Sequence, residues 1–183
     1  MTSERKKLSV WKKLLIMLII ILLIFGGMNL AWYILKKRPY DKLAEQLSES
    51  GLFGDTHYEL EKGSYHFVVK MPGYLGYEGG FCRVDEVSVE TDINDTDAES
   101  QDEPVVSEIS LYYWPGIFEK DDAFGLDMTV GNDFEMVFIT EDLEYVVFEG
   151  ESEAESEYYK GLLEDNIDRV RGLMDAAKSV WDF

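Results

Sequence analysis

The chain has 183 residues, with 17 Lys and Arg against 37 Asp and Glu, a net charge of −20 and one cysteine, Cys82. Charge of that sign excludes direct binding to nucleic-acid phosphates, because Lys and Arg supply most of that affinity, and a lone cysteine excludes an intramolecular disulfide framework. The charge is also segregated. Residues 1–42 hold nine of the basic residues and two of the acids, net +7, which leaves eight basic and 35 acidic residues, net −27, for residues 43–183.

Residues 1–13 read as a basic cytoplasmic tail. Residues 14–35 are 22 uncharged, mostly apolar positions bracketed by Lys12-Lys13 and Lys36-Lys37-Arg38. At about 1.5 Å per residue the run is roughly 33 Å long, which matches a hydrocarbon core of about 30 Å. A secretory signal has only about 7 to 15 apolar residues before its cleavage site, so this run is expected to remain as a signal anchor, a single-pass transmembrane helix in contact with membrane lipid over residues 14–35. Trp11 and Trp32-Tyr33 mark its two interfaces. Five basic residues before the span against four after it orient it weakly. Long domains translocate largely regardless of charge, so the carboxy-terminal domain is expected to be extracytoplasmic at the cell membrane. Gly27 and Ala31 have small-xxx-small spacing around Asn29, a route to a homodimer through the span.

Over residues 36–55 a linker is expected, with Pro39-Tyr40 breaking the helix and Asp41 capping a short helix over 42–50 that Gly51 and Gly54 end. Residues 56–183 read as an acidic α+β domain, because their Tyr, Phe, Val and Leu content is unlike that of disordered acidic segments. The absence of disulfides fits a bacterial surface protein. Strand-like runs cover 56–62, 64–71, 81–91, 105–114, 125–130, 134–140 and 143–148, and their short separations predict an antiparallel β-meander. Alternation assigns Tyr58, Leu60, Tyr65, Phe67, Val69, Met71, Ile109, Leu111 and Tyr113 to the core. In the third run Cys82 and Val84 have one parity and Val87 and Val89 the other. That pattern predicts a bulge near Asp85-Glu86 or a central strand apolar on both sides. A long helix over 153–181 closes the chain, with Tyr159, Leu163, Ile167, Val170, Met174, Ala177 and Trp181 on one face for packing on the sheet, and Ser152 with Glu155 in capping-box spacing.

Three constellations carry candidate chemistry. In a hairpin over 56–71, His57, Glu59, Glu61 and His66 share a face; His66 lies opposite Glu59 or Glu61 according to whether the loop is Lys62-Gly63 or Gly63-Ser64. Two imidazoles with carboxylates suit zinc and leave a position for water, although the solvated face of a hairpin looks the same. Asp92, Asn94, Thr96 and Glu103 fall on positions 1, 3, 5 and 12 of a calcium loop, but Asp97 stands where the turn needs Gly, so an acidic loop is the better reading. Residues 72–81, rich in Gly, present Tyr74 and Tyr77, which with Trp114 are aromatic contact candidates for a protein or glycan.

No nucleophile elbow, HExxH, phosphate loop or dinucleotide fingerprint occurs, and Cys82 sits in a strand-like run without basic neighbours, as a buried structural cysteine does. The leading expectation is therefore a binding protein, not an enzyme, that needs no cofactor and engages a basic protein or an envelope component. Its alternatives are an acidic immunity-type inhibitor of a basic toxin, matched by charge, and a metal-dependent hydrolase using the His57 and His66 face.

Overall fold

The computed structural model describes residues 10–47, 57–73, 79–87, 106–115 and 124–181. It begins with α1 (Val10–Trp32), passes through a π-helical turn (Tyr33–Lys37) and continues as α2 (Arg38–Glu45). Together they make one helix of 36 residues, Val10–Glu45, long and apolar enough over its first part to cross a membrane. No residue of α1 is buried against the rest of the chain. Asn29 donates to the Phe25 carbonyl one turn back at 2.7 Å, so part of its polarity is absorbed within its own helix.

The expected break at Pro39-Tyr40 does not occur. Proline inside a helix clashes with the carbonyl four residues back and lacks the N–H that would bond it. Here the turn just before Pro39 is widened, the Arg38 N–H reaching back to Tyr33 O, and Pro39 falls in the first turn of α2, where a missing N–H is tolerated. The short helix therefore lies at Arg38–Glu45 instead of 42–50, joined to α1 without a linker. Of α2 and the turn that follows it, Tyr40, Leu43, Ala44 and Leu47 are buried in the core of the domain, and the Tyr40 hydroxyl donates to Gly80 O at 2.9 Å.

Six strands form one antiparallel sheet in chain order: β1 (His57–Lys62), β2 (Tyr65–Lys70), β3 (Phe81–Glu86), β4 (Val106–Tyr113), β5 (Phe124–Val130) and β6 (Asp133–Ile139). This is the expected meander. Two hairpins are tight. Gly63-Ser64 joins β1 to β2 and Gly131-Asn132 joins β5 to β6, and in each only the glycine has positive φ, 65° and 62°. That is the dihedral pattern of a type II′ turn, whose twist matches the flanking strands. The loop at Gly63-Ser64 sets the register with His66 opposite Glu61.

Alternation then sorts the side chains. Phe67, Val69, Cys82, Val84, Ile109, Leu111, Leu126, Met128, Val137 and Ile139 point to one face and are buried beneath α2, α3 (Glu153–Asp165) and α4 (Ile167–Val180). Trp181, 1% exposed, meets Phe67 edge-on with ring centroids 5.6 Å apart. Ser152 and Glu155 complete a reciprocal capping box at the start of α3.

Three local expectations are corrected. The bulge lies in β4, between Val106 and Glu108, whereas β3 pairs regularly through Asp85; Val87 is 40% exposed and needs no inward turn. Residues 143–148 contribute one bridge, Ile139 to Tyr145, and no seventh strand. Glu151 draws this segment off the sheet edge by accepting from the Phe148 N–H and the Tyr145 hydroxyl. The closing helix is divided at Asn166, whose side-chain amide bonds the Leu162 carbonyl at 2.9 Å, a local competition with the helical ladder.

Candidate functional site

The sheet face turned away from the helices carries the side chains that alternate with the core. Register aligns them in rows. His66, Asp85, Ser110, Asp127 and Met136 are successive partners across β2 to β6, and Val68, Arg83, Tyr112, Gly125 and Phe138 form the next row. The first row is polar and the second becomes aromatic as it approaches β6.

In the polar part, His66 lies between carboxylates, with Nε2 3.8 Å from Glu59 and Nδ1 3.6 Å from Asp85. Arg83 Nε donates to Asp85 Oδ2 at 2.9 Å, while Asp85 Oδ1 is buried without a hydrogen-bond donor among the described residues. Burial works against the Arg83 guanidinium, but the hydrogen bond with Tyr112 and the charge of Asp85 outweigh it and hold its pKa above the ordinary value. Asp127 is shifted up by burial and by Asp85, with Arg83 partly opposing the rise. A cavity of about 560 Å³ opens beside this cluster, lined by Glu61, His66, Arg83, Asp85 and Ser110 among others. Its serine, histidine and aspartate do not make a nucleophilic triad. Asp85 separates His66 from Ser110, and residues two strands apart are roughly 9.5 Å from each other, whereas the base must touch the nucleophile.

The aromatic part is a continuous row. Phe81 meets Tyr112 at 5.4 Å, Tyr112 stacks on Trp114 at 5.9 Å, Trp114 stacks on Phe138 at 6.1 Å, and Phe138 meets Phe148 edge-on at 4.7 Å. Gly125 makes this possible: a Cβ there would stand 2.6 Å from the Trp114 ring, so the indole lies flat across β5 because that strand has no side chain beneath it. Phe134 and Phe148 remain 74% and 51% exposed on the β6 side.

At the β6 edge the row opens into a cleft of about 300 Å³ whose lining includes Met136, Phe138, Tyr145, Phe148, Glu151 and Tyr159. Burial raises the Tyr145 and Tyr159 hydroxyl pKa values, and hydrogen bonds and charge from Glu151 and Glu135 raise them further. These phenols stay neutral, and the cleft presents π-faces beside carboxylates. Such a lining suits an ammonium or guanidinium group.

The sequence candidates fare unevenly. Trp114 stands in the middle of the row. Tyr74 and Tyr77, and the acidic run with Asp92, Asn94, Thr96 and Glu103, lie outside the described residues. His57, Glu59, Glu61 and His66 do share a face, but His57 pairs with Lys70 while His66 pairs with Glu61, which places the imidazoles about 13 Å apart along the hairpin. That is too far for one ion, and among the described residues no three His, Cys, Asp or Glu side chains converge as a metal site. Cys82 is fully buried, and burial holds its thiol far above the ordinary range.

Sequence patterning missed Phe81, Tyr112, Phe138 and Phe148. Their signal was present. In β3, β4 and β6 aromatic residues occupy positions where alternation with Cys82, Leu111 and Val137 calls for polar ones. No protein-family model, curated protein or solved structure matches this chain.

Proposed function

We propose that the chain is a single-pass, membrane-anchored binding protein of a bacterial cell, whose acidic extracytoplasmic domain docks a cationic protein or envelope component on the helix-free sheet face without catalysis. The observation that carries this reading is the row of rings from Phe81 to Phe148 on that face. A strand face that merely meets water gains little from five adjoining aromatic side chains, four half-buried and Phe148 51% exposed, whereas contiguous apolar surface rimmed by charge is typical of interaction sites. The net −27 of residues 43–183 supplies long-range attraction for a basic partner and selects against acidic ones. Lys or Arg side chains of the partner would enter the cleft beside Tyr145 and Glu151. An immunity-type inhibitor is the special case in which that partner is a basic toxin.

The test is site-specific photocrosslinking in intact cells, with a benzophenone amino acid at Phe148 or Phe134 and, for comparison, at Glu164 on α3. The expected result is a discrete adduct from the two sheet-face positions that weakens as salt is raised. Equal adducts from Glu164, or none from the sheet face, would count against it. Protease access to the domain on the same cells tests the orientation.

A further inference from the structure

The helix that carries the span also lines a cleft of about 460 Å³ with Tyr33, Arg38, Asp41, Lys42 and Glu45 on its side and Tyr58 and Met71 on the side of the sheet. Its depth follows from helix geometry. If the bilayer core ends near Leu35, Arg38 stands about 4.5 Å and Lys42 about 10.5 Å beyond it along the axis, and the headgroup layer is about 5 to 7.5 Å thick on each side. Arg38 therefore stands within the headgroup layer, at the level of the lipid phosphates, and Lys42 about 3 Å beyond it, from where its flexible stem reaches back toward that layer.

Arg38 and Lys42 are four residues apart, so they project from one side of the helix, where two like charges repel each other. Neither makes an ion pair among the described residues. Of the two acids that also line the cleft, Asp41 is held by Lys37 at 3.3 Å, and Glu45 has an interaction of its own that involves neither Arg38 nor Lys42. Two cations one helical turn apart, Arg38 within the headgroup layer and Lys42 just outside it, flanked by the hydroxyl-bearing rings of Tyr33 and Tyr58, are completed by an anion placed between them.

We propose that the cleft between α2 and the β1–β2 edge of the domain binds the phosphodiester headgroup of an anionic phospholipid through Arg38 and Lys42. The inference rests on the reading that α1 spans the bilayer. Its consequence is specific: one lipid is held by the protein fold itself, distinct from the general attraction of a basic flank for an anionic membrane. Arg38 offers a planar donor fork to two phosphate oxygens and Lys42 a point charge. The ring of Tyr33, at the end of the span, sits where such rings are favoured, at headgroup level.

The experiment uses the full chain in nanodiscs of phosphatidylcholine with a minor fraction of phosphatidylglycerol, released into the gas phase for native mass spectrometry. Wild type is expected to retain one phosphatidylglycerol, and the double variant Arg38→Gln with Lys42→Gln to retain about 10- to 30-fold less, the scale for removing two basic contacts at a charged surface. Lys12→Gln with Lys36→Gln removes the same charge from the flanks of the span, outside the cleft, and is expected to retain the lipid. Equal loss in both double variants, or no preference for phosphatidylglycerol in wild type, would overturn the site. Displacement of the lipid by millimolar inorganic phosphate would assign the cleft to free anions and overturn it as well. Failure of the protein to co-elute with lipid discs would remove the spanning helix and the site together, whereas co-elution without lipid selection would remove the site alone.

Discussion

On the helix-covered face of the sheet, Val69, Cys82, Val84, Leu126 and Met128 are all at 0% exposure; on the opposite face the same strands carry Lys70, Phe81, Arg83 and Asp127, each partly open to solvent. Both faces are continuous and well packed laterally, yet they answer to different demands. The covered face is mostly aliphatic and sulfur-bearing, with Phe67 and Phe124 as its rings, and its purpose is met once water is out. The open face holds larger rings than a solvated sheet needs, arranged edge to edge beside carboxylates. Among the described residues nothing closes over that area, and on the proposed reading it is where a partner docks.

That contrast can be broken or sharpened by substitution. The largest effect is expected from Phe67→Ala on the covered face, where a ring 1% exposed and in contact with Trp181 is lost; about 3–5 kcal/mol of stability should go, read as a lower urea midpoint. Arg169→Ala comes next. This guanidinium pairs with Glu86 at 2.7 Å and donates to the Val106 and Ser107 carbonyls, tying the end of β3 to the start of β4. A loss of about 2 kcal/mol is expected, the scale of hydrogen bonds to charged groups, and the midpoint should fall less than for Phe67→Ala.

Trp114→Ala on the open face should cost only about 1 kcal/mol, the scale of its ring contacts, while abolishing the photocrosslink from Phe148. A destabilisation as large as that of Phe67→Ala would show that the open face is core after all. The smallest effect is expected from Asp127→Asn. Burial, with Asp85, lifts this carboxyl above the ordinary aspartate value, so the folded state favours its neutral form and the charge opposes folding at neutral pH. The amide variant should be more stable at pH 7 by on the order of a few tenths of a kcal/mol, since the group is partly solvated. That gain should shrink as pH falls through the raised pKa and vanish once the carboxyl is protonated in the unfolded chain too. Thermal melts across this range would expose a reversed sign.

Much of the architecture was legible in short-range pattern. The alternation at Tyr65, Phe67, Val69 and Met71 named an inward face, and Gly63 and Gly131 marked tight turns because each needs positive φ. The 4, 4, 3, 4, 3, 4 spacing of the closing helix predicted a face that is buried from Leu163 to Trp181, apart from a half-buried Ile167 beside the break. What escaped were competitions that spacing does not register. Asn166 spends its amide on a backbone carbonyl, Glu151 pulls residues 145–148 off an edge, and a widened turn lets Pro39 stay inside a helix. Apart from Trp114, the candidate site escaped for another reason: its rings come from β3, β4, β6 and the segment beyond, and become neighbours only once register is set. The histidine constellation failed on the same point, since sharing a face does not put His57 and His66 within reach of one ion.

The unbroken passage from α1 through the π-turn into α2 has a mechanical corollary. With Tyr40, Leu43 and Ala44 of α2 locked into the core, no swivel separates the apolar helix from the sheet. A domain on a slack tether forgets the heading of its anchor; here the helix that leaves α1 enters the core directly, so the aromatic face takes its heading from the span.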